Sequence, residues 1–448
     1  MSKKFSVPRG TSDILPDQIS LWENVENAAR RILKTYGYRE LRTPVYEETA
    51  LFKRSLGQTS DVVNKQLLHV TSRWPDNMSE ALYLEDELKR DFVYDYALRP
   101  EGTASIVRSY LENSFDKKEP LSKFFYIGPM FRGERPQKGR LRQFHQIGVE
   151  AIGPNSVSPY LDAEVIALAM HLLKEFGVKQ PKLRINSLGT KEDKEKNSLW
   201  LRGALTKHKI DLCEDCQGRL ERNVLRILDC KKEQCRKVVQ DAFKGPLGQG
   251  ITMTLSPDST NYFDNVRVCL DDLGITYETS LDLVRGLDYY THTVFEITAG
   301  GELGSQDAVG AGGRFSGLVQ DLGGDTKTDY GAIGFALGIE RILLAAGKAQ
   351  GEPAAIDAFV IAMDVAGQKQ AFALTDSLRK AGISADMGHT GGKVGSQMNR
   401  ANKLNAKFAL ILGEEELKNN AAAVKNMQTG TQETVALKNI VEHLRKVL

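Results

Sequence analysis

The chain has 448 residues, of which 41% are hydrophobic and 26% charged, and its net charge is +2. That length accommodates two or three domains with a sizeable core. The near-neutral balance excludes a bulk polycation, so any nucleic-acid contact must come from local basic patches.

No run reaches the ~18 apolar residues of a membrane span, so no membrane partner is expected. The start MSKKFSVPRGTSD lacks the apolar core of a secretion signal. With five cysteines, the expectation is reduced thiols in a cytoplasmic protein.

Residues 17–36 carry an apolar stripe at helical spacing (Ile19, Trp22, Val25, Ala29, Ile32, Leu33), and Gly37 ends it. Residues 38–44 read as a short strand, with Pro44 at an edge or strand end. Residues 124–132 form an apolar run and 144–150 alternate, which predicts a long antiparallel hairpin. The connecting loop is rich in Arg, Lys, Gln and Gly. Alternation places Arg142, Phe144, Gln146, Gly148 and Glu150 on one face, with His145, Ile147 and Val149 on the other. A cation, an aromatic plate, an amide, a gap and a carboxylate in one row suit a flat, charged, phosphorylated ligand better than a structural sheet. His145, on the opposite face, is expected to be structural.

A further amphipathic helix is predicted over residues 162–176. From Lys191 to about Gly250 helical charge patterns dominate, which predicts an inserted helical subdomain. It holds Cys213 and Cys216 as C-x-x-C, then Cys230 and Cys235. Such spacing permits a structural zinc, although free thiols are the favoured reading and zinc is not expected. Strand-like segments return at 266–270, 289–297 and 330–337. Residues 347–355 read as a linker. Beyond it a strand (357–363), a helix (368–380), a strand near Ser384, a helix (394–404), a strand (407–413), a strand pair and a last helix make a small α/β domain.

The run R-x-E-R-P-x-K-G-R-x-R-Q-F-H-Q-x-G-x-E, residues 132–150, resembles the second signature motif of class II aminoacyl-tRNA synthetases. Its wording is close to that of the histidyl-tRNA synthetase family. The helix and strand of residues 17–44 resemble the first motif, which forms the dimer interface in that family. GFALGIER, residues 334–341, resembles the third. LVRGLDYYTHTVFEI (283–297) and AGGRFSG (311–317) resemble the two histidine-specific motifs. The second commonly has Tyr where this chain has Phe315, which puts any hydrogen bond from that hydroxyl in doubt.

The resemblance implies an α+β fold: a class II antiparallel sheet with flanking helices, a helical insertion and a C-terminal α/β anticodon-binding domain. The implied division is a catalytic domain at 1–346 with the insertion at about 191–250, a linker at 347–355 and the anticodon-binding domain at 356–448. The implied activity converts histidine and ATP to histidyl-adenylate and pyrophosphate, then transfers histidine to the 3′ end of histidine tRNA. The first step builds charge on phosphate oxygens and needs fixed cations and metal more than a protein nucleophile.

Arg132, Arg285 and Arg341 are the implied catalytic cations. ATP would meet Arg132, Glu134, Arg140, Phe144, Gly338 and Arg341, with Mg²⁺ bridging its phosphates. Glu101, Thr103 and Gln146 would take the α-ammonium group of histidine. Glu150 and Tyr290 would bracket the imidazole nitrogens, with Tyr289 and Arg285 beside them. Strand parity does not place Arg285 and Tyr290 on one face, so the chain must turn first, which Gly286 permits. Arg135, Gln137, Lys138 and Arg142 would meet the tRNA acceptor end, and the active form would be a homodimer. Catalytically silent relatives that regulate histidine biosynthesis, and RNA-binding modules without catalysis, are the rivals. The retained arginines and terminal domain argue against both.

Overall fold

The computed structural model describes residues 5–57, 60, 62–70, 95–244, 254–284, 287–300, 303, 307–347, 355–389 and 393–448. The chain divides into two compact units, residues 1–13 with 22–349, and 14–21 with 350–448.

α1 (Pro16–Thr35), which belongs to the first unit from Trp22 onward, buries Trp22, Val25, Ala29, Ile32 and Leu33 of the stripe its spacing predicts. β1 (Arg39–Glu40) is shorter than the predicted strand and pairs parallel with the later β5. A small sheet of β2 (Tyr46–Glu48), β3 (His69–Val70) and β4 (Tyr96–Leu98) carries α2 (Thr49–Leu56). Then come α3 (Thr103–Glu112), the hairpin β5 (Ser122–Phe131) and β6 (Gln143–Pro154), α4 (Pro159–Glu175) and β7 (Lys182–Ser187).

The insertion contains α5 (Lys191–Thr206), opened by a Thr190–Asp193 capping box, α6 (Glu214–Arg222) and α7 (Glu233–Lys244). Residues 245–253 lie outside the described residues. The expected strand at 266–270 is instead part of α8 (Pro257–Asp272). Phe263, Val266 and Leu270 recur at helical spacing and are buried, and the Ser256 hydroxyl accepts the amide of Ser259 at the helix start. That cap, followed by Pro257, outweighs the β-branched residues.

β8 (Glu278–Thr279), β9 (Thr291–Thr298), β10 (Ala308–Arg314), α9 (Ser316–Asp321), β11 (Tyr330–Gly338) and α10 (Ile339–Ala345) complete the unit. Its main sheet has eight strands in the order β1-β5-β6-β11-β10-β9-β7-β8. The six inner strands pair antiparallel with one another, and the two edge strands pair parallel with β5 and β7.

The second unit orders its strands β13-β12-β14-β15-β16. They are β12 (Ala358–Ala362), β13 (Ala385–Met387), β14 (Phe408–Leu412), β15 (Ala421–Asn426) and β16 (Gln432–Ala436). Its helices are α11 (Val365–Lys380), α12 (Val394–Lys403), α13 (Glu414–Lys418) and α14 (Ile440–Val447). Ala358, Val360 and Ala362 enter one apolar cluster and Phe359 and Ile361 another. β12 is thus apolar on both faces, as a parallel strand covered by helices must be. Of the expected linker, residues 348–354 lie outside the described residues.

Candidate active site

The hairpin register pairs Tyr126 with Gly148 and Gly128 with Gln146. β11 continues the rows, with Gly334 opposite Glu150, Ala336 opposite Gly148 and Gly338 opposite Gln146. β10 adds Ala311 opposite Ala336, and β9 adds Glu296 opposite Ala311. Residues paired across strands share a face. This face therefore has a floor of Gly148, Gly334, Ala336, Gly338 and Ala311, with tall polar side chains around it.

Two glycines are required by close approach. A Cβ on Gly148 would lie 2.2 Å from the Tyr126 ring, and one on Gly334 would lie 1.9 Å from Glu150 Oε2. Above the floor lies a cavity of about 730 Å³, a size suited to a nucleotide-sized ligand.

One end of the cavity is acidic and phenolic. Glu150 is buried, and Oε1 accepts a hydrogen bond from Thr103 Oγ1 at 2.6 Å. Glu150 Oε2, Gln146 Oε1 and Tyr126 Oη are buried with no hydrogen-bond partner among the described residues. Burial pushes the Glu150 carboxyl well above its ordinary range; the neighbouring Glu101 adds to this, and the Thr103 bond opposes it. Glu101 is also raised by burial, against backbone bonds. Its two oxygens accept the amides of Thr103 at 2.7 Å and Ala104 at 3.0 Å, at the start of α3. Glu101 is thus also a helix-capping carboxylate, a duty its sequence context did not reveal.

Tyr289 and Tyr290 are buried and lie ring to ring at 4.6 Å. The backbone oxygens of Asp288 and Tyr290 accept bonds from Lys194 of the insertion, at 2.6 and 2.9 Å. Phe315 is 1% exposed and meets Tyr289 edge to face at 5.8 Å. The ring kept at this position buttresses the phenol.

The other end is cationic. Arg132 lies over the Phe144 ring at 5.1 Å and donates from Nε to the Pro100 oxygen at 2.9 Å. Arg341 donates to the backbone oxygens of Gly139, at 2.8 Å, and of Ala308. Arg140 and Glu134 approach to 3.4 Å. Burial lowers the pKa of Arg132 and Arg341, and in Arg341 repulsion from Arg140 and Arg132 adds to the effect. Cations brought together out of water in this way attract an anion.

The structure thus lines one cavity with Glu101, Thr103, Arg132, Glu134, Arg140, Phe144, Gln146, Glu150, Tyr289, Tyr290, Gly338 and Arg341. Arg285 and Gly286 lie outside the described residues. Arg135, Gln137, Lys138 and Arg142 are absent from the wall among the described residues. Arg142 precedes β6 rather than belonging to it, and bonds to the backbone oxygens of Glu134 and Arg9. His145 faces away, against Glu340 at 3.0 Å and the edge of Trp22.

Sequence reasoning missed Tyr126, Glu296 and the insertion's Arg219, Arg226, Lys231 and Lys232, all of which line the cavity. A lone carboxylate in the apolar strand 291–298 was the available signal for Glu296. The insertion residues had none.

Residues 10–191 match the family model described as histidyl-tRNA synthetase, and residues 357–447 match the anticodon binding domain. The chain is 43% identical over 444 residues to the histidine–tRNA ligase of Halothermothrix orenii, covering 98% of this chain and 99% of the relative. It is 44% identical over 451 residues to that of Geobacillus sp. (strain WCH70), covering 99% of each. Among solved structures, apo histidyl-tRNA synthetase from S. aureus superposes with a TM-score of 0.76 at 35% identity, over 99% of this chain and 100% of the other. With a matching catalytic-domain model, a matching anticodon-binding model and such identity over nearly its full length, the chain belongs to the histidyl-tRNA synthetase family.

Proposed function

We propose that the chain is an ATP-dependent histidine–tRNA ligase whose chemistry occupies this cavity. The observation that carries the reading is the polarity of the site: three arginines around Phe144 at one end, buried carboxylates and phenols at the other, and a glycine–alanine floor between. A histidine carboxylate oxygen attacks the α-phosphorus of ATP and the bond to pyrophosphate breaks. A ribose hydroxyl at the tRNA 3′ end then attacks the acyl carbon, and AMP leaves with the bonding electrons.

In this reading adenine takes the face of Phe144 that Arg132 does not cover, with Glu134 at its edge. Arg132 and Arg341 hold phosphate oxygens as their charge grows, with Arg140 beside them. Arg285 is assigned to the α-phosphate, beside the bound histidine, from its motif. Mg²⁺ would bridge the phosphates. Glu296 and Glu134, which line the cavity and act on Arg341, are carboxylates that fit it.

Neutral imidazole offers one donor and one acceptor. Glu150 would accept from the ring N–H, and the Tyr290 phenol would donate to the other nitrogen. Glu101, Thr103 and Gln146 would take the α-ammonium group, with Tyr289 closing the pocket. Arg135, Gln137, Lys138 and Arg142 would meet the acceptor end of tRNA. Residues 1–346 would be the catalytic domain with its insertion at about 191–250, 347–355 a linker, and 356–448 the anticodon-binding domain. The working form would be a cytoplasmic homodimer.

The test is ATP–pyrophosphate exchange with each amino acid in turn and no tRNA. Exchange with histidine alone is the expected result. Histidine binding without exchange would move the chain to the regulatory class, and exchange with another amino acid would overturn the Glu150–Tyr290 pocket.

A further inference from the structure

The insertion contains a feature that the ligase chemistry does not use. Cys213 and Cys216 come from the start of one helix and Cys230 and Cys235 from the approach to and start of another, yet their four sulfur atoms lie within 4.8 Å of one another and all four residues are buried. None forms a disulfide.

The two pairs are built alike. Cys213 is the N-cap residue of α6 and Cys216 sits in its first turn. Cys230 ends the turn after residues 224–227, its amide bonded to the Ile227 oxygen, and Cys235 sits in the first turn of α7. Two helix N-termini thus converge on the cluster, and the positive ends of their dipoles favour thiolate charge. The Cys213 amide donates to Cys235 Sγ at 3.2 Å, the kind of amide–sulfur bond a bound thiolate accepts.

Buried cysteines often serve as small apolar side chains. Packing alone does not require two pairs from two helix starts to touch one another. The spacing suits one ion: zinc–sulfur bonds of about 2.3 Å give a tetrahedron whose edges are about 3.8 Å. Sulfurs this close leave no room for several irons and their bridging sulfides. The four cysteines belong to a larger apolar cluster that includes Leu205, Leu212, Leu220 and Val239 of the insertion.

We propose that these four cysteines bind a structural zinc ion as a tetrathiolate. The spacing permits zinc and the resemblance to the family weighs against it; the convergence of the two helix starts reverses that reading. The ion would also fix one wall of the cavity, because Cys213, Cys230, Lys231 and Lys232 line it. The metal site stands or falls apart from the ligase chemistry.

The experiment is metal analysis of the full-length protein, purified under reducing conditions without chelator. About one zinc per chain is expected. It should be lost from Cys213→Ser and Cys235→Ser and kept in Cys269→Ser, since Cys269 lies on α8 outside the cluster. Should the cluster variants fail to fold, growth of the unaltered chain in cobalt decides. Thiolate-to-cobalt charge transfer and the visible bands of a tetrahedral site are expected. Protein with no metal, with iron, with disulfides among the four cysteines, or with zinc retained in a folded cluster variant would overturn the proposal.

Discussion

The two faces of the main sheet bury charge in opposite ways. On the helix-covered face Arg314 and Asp162, both 0% exposed, form an ion pair at 2.6 Å. Asp162 also accepts from Thr293 at 2.6 Å and Tyr262 at 3.1 Å, and Arg314 donates to Tyr262 at 2.9 Å and to the Ser158 oxygen at 3.2 Å. The network ties α4, α8, β9 and β10 together. On the cavity face Glu150 is as deeply buried but is bonded to the Thr103 hydroxyl rather than paired with a cation, and it stands beside a second carboxylate. A buried charge bonded on several sides serves the fold. One held at a raised pKa above a small-residue floor is held ready for a ligand.

Substitution on each face should separate the roles. Glu150→Gln should cut histidine-dependent pyrophosphate exchange on the order of 10³-fold, because a buried carboxyl partner for the substrate is lost. It should leave the fold at least as stable, so a lowered melting temperature would break the contrast. Arg314→Ala should do the reverse, destabilising the fold by about 3–5 kcal/mol by stranding Asp162. Urea denaturation measures this, and a stability unchanged within error would show that the network is not structural.

The pH dependence sharpens the same contrast. Glu150 has a folded pKa well above that of the unfolded chain. The native state therefore binds the extra proton, and stability from this group is full below about pH 4.3 and is lost as pH rises through the folded pKa. The stability gained by Glu150→Gln should thus vanish at acid pH and grow on going to neutral. A gain independent of pH would mean that Glu150 is ionised in the free protein.

The smallest effect is expected at the back of the cavity. Phe315→Tyr should lower the KM for histidine by no more than about tenfold, the worth of one hydrogen bond, with the melting temperature nearly unchanged. A larger effect would place the hydroxyl directly on the substrate.

The hairpin row was legible because period-two alternation is a local property, and β5 and β6 are joined by their own loop. The helix at 257–272 was misread in part because Val266, Val268 and Leu270 also alternate, while its start signals, Ser256 and Pro257, lie ten residues upstream. Glu101 was found as a carboxylate for the site, but its hold on the α3 amides emerged only with the backbone path. Tyr126 and Glu296 were not found. Glu296 sits on the cavity face only because of strands distant in sequence, whereas Tyr126 lies on the hairpin itself, opposite Gly148.

The sequence by itself determined which residues alternate on the hairpin, where helices and the terminal α/β domain run, and which five motifs occur and in what order. Those follow from local periodicity and residue chemistry. Tertiary structure alone decided that β11, β10 and β9 extend the hairpin's floor, that burial beside Glu101 raises the Glu150 pKa, and that two cysteine pairs from separate helix starts meet at one point. Strand order, desolvation and convergence depend on contacts between distant segments, and no local pattern encodes them.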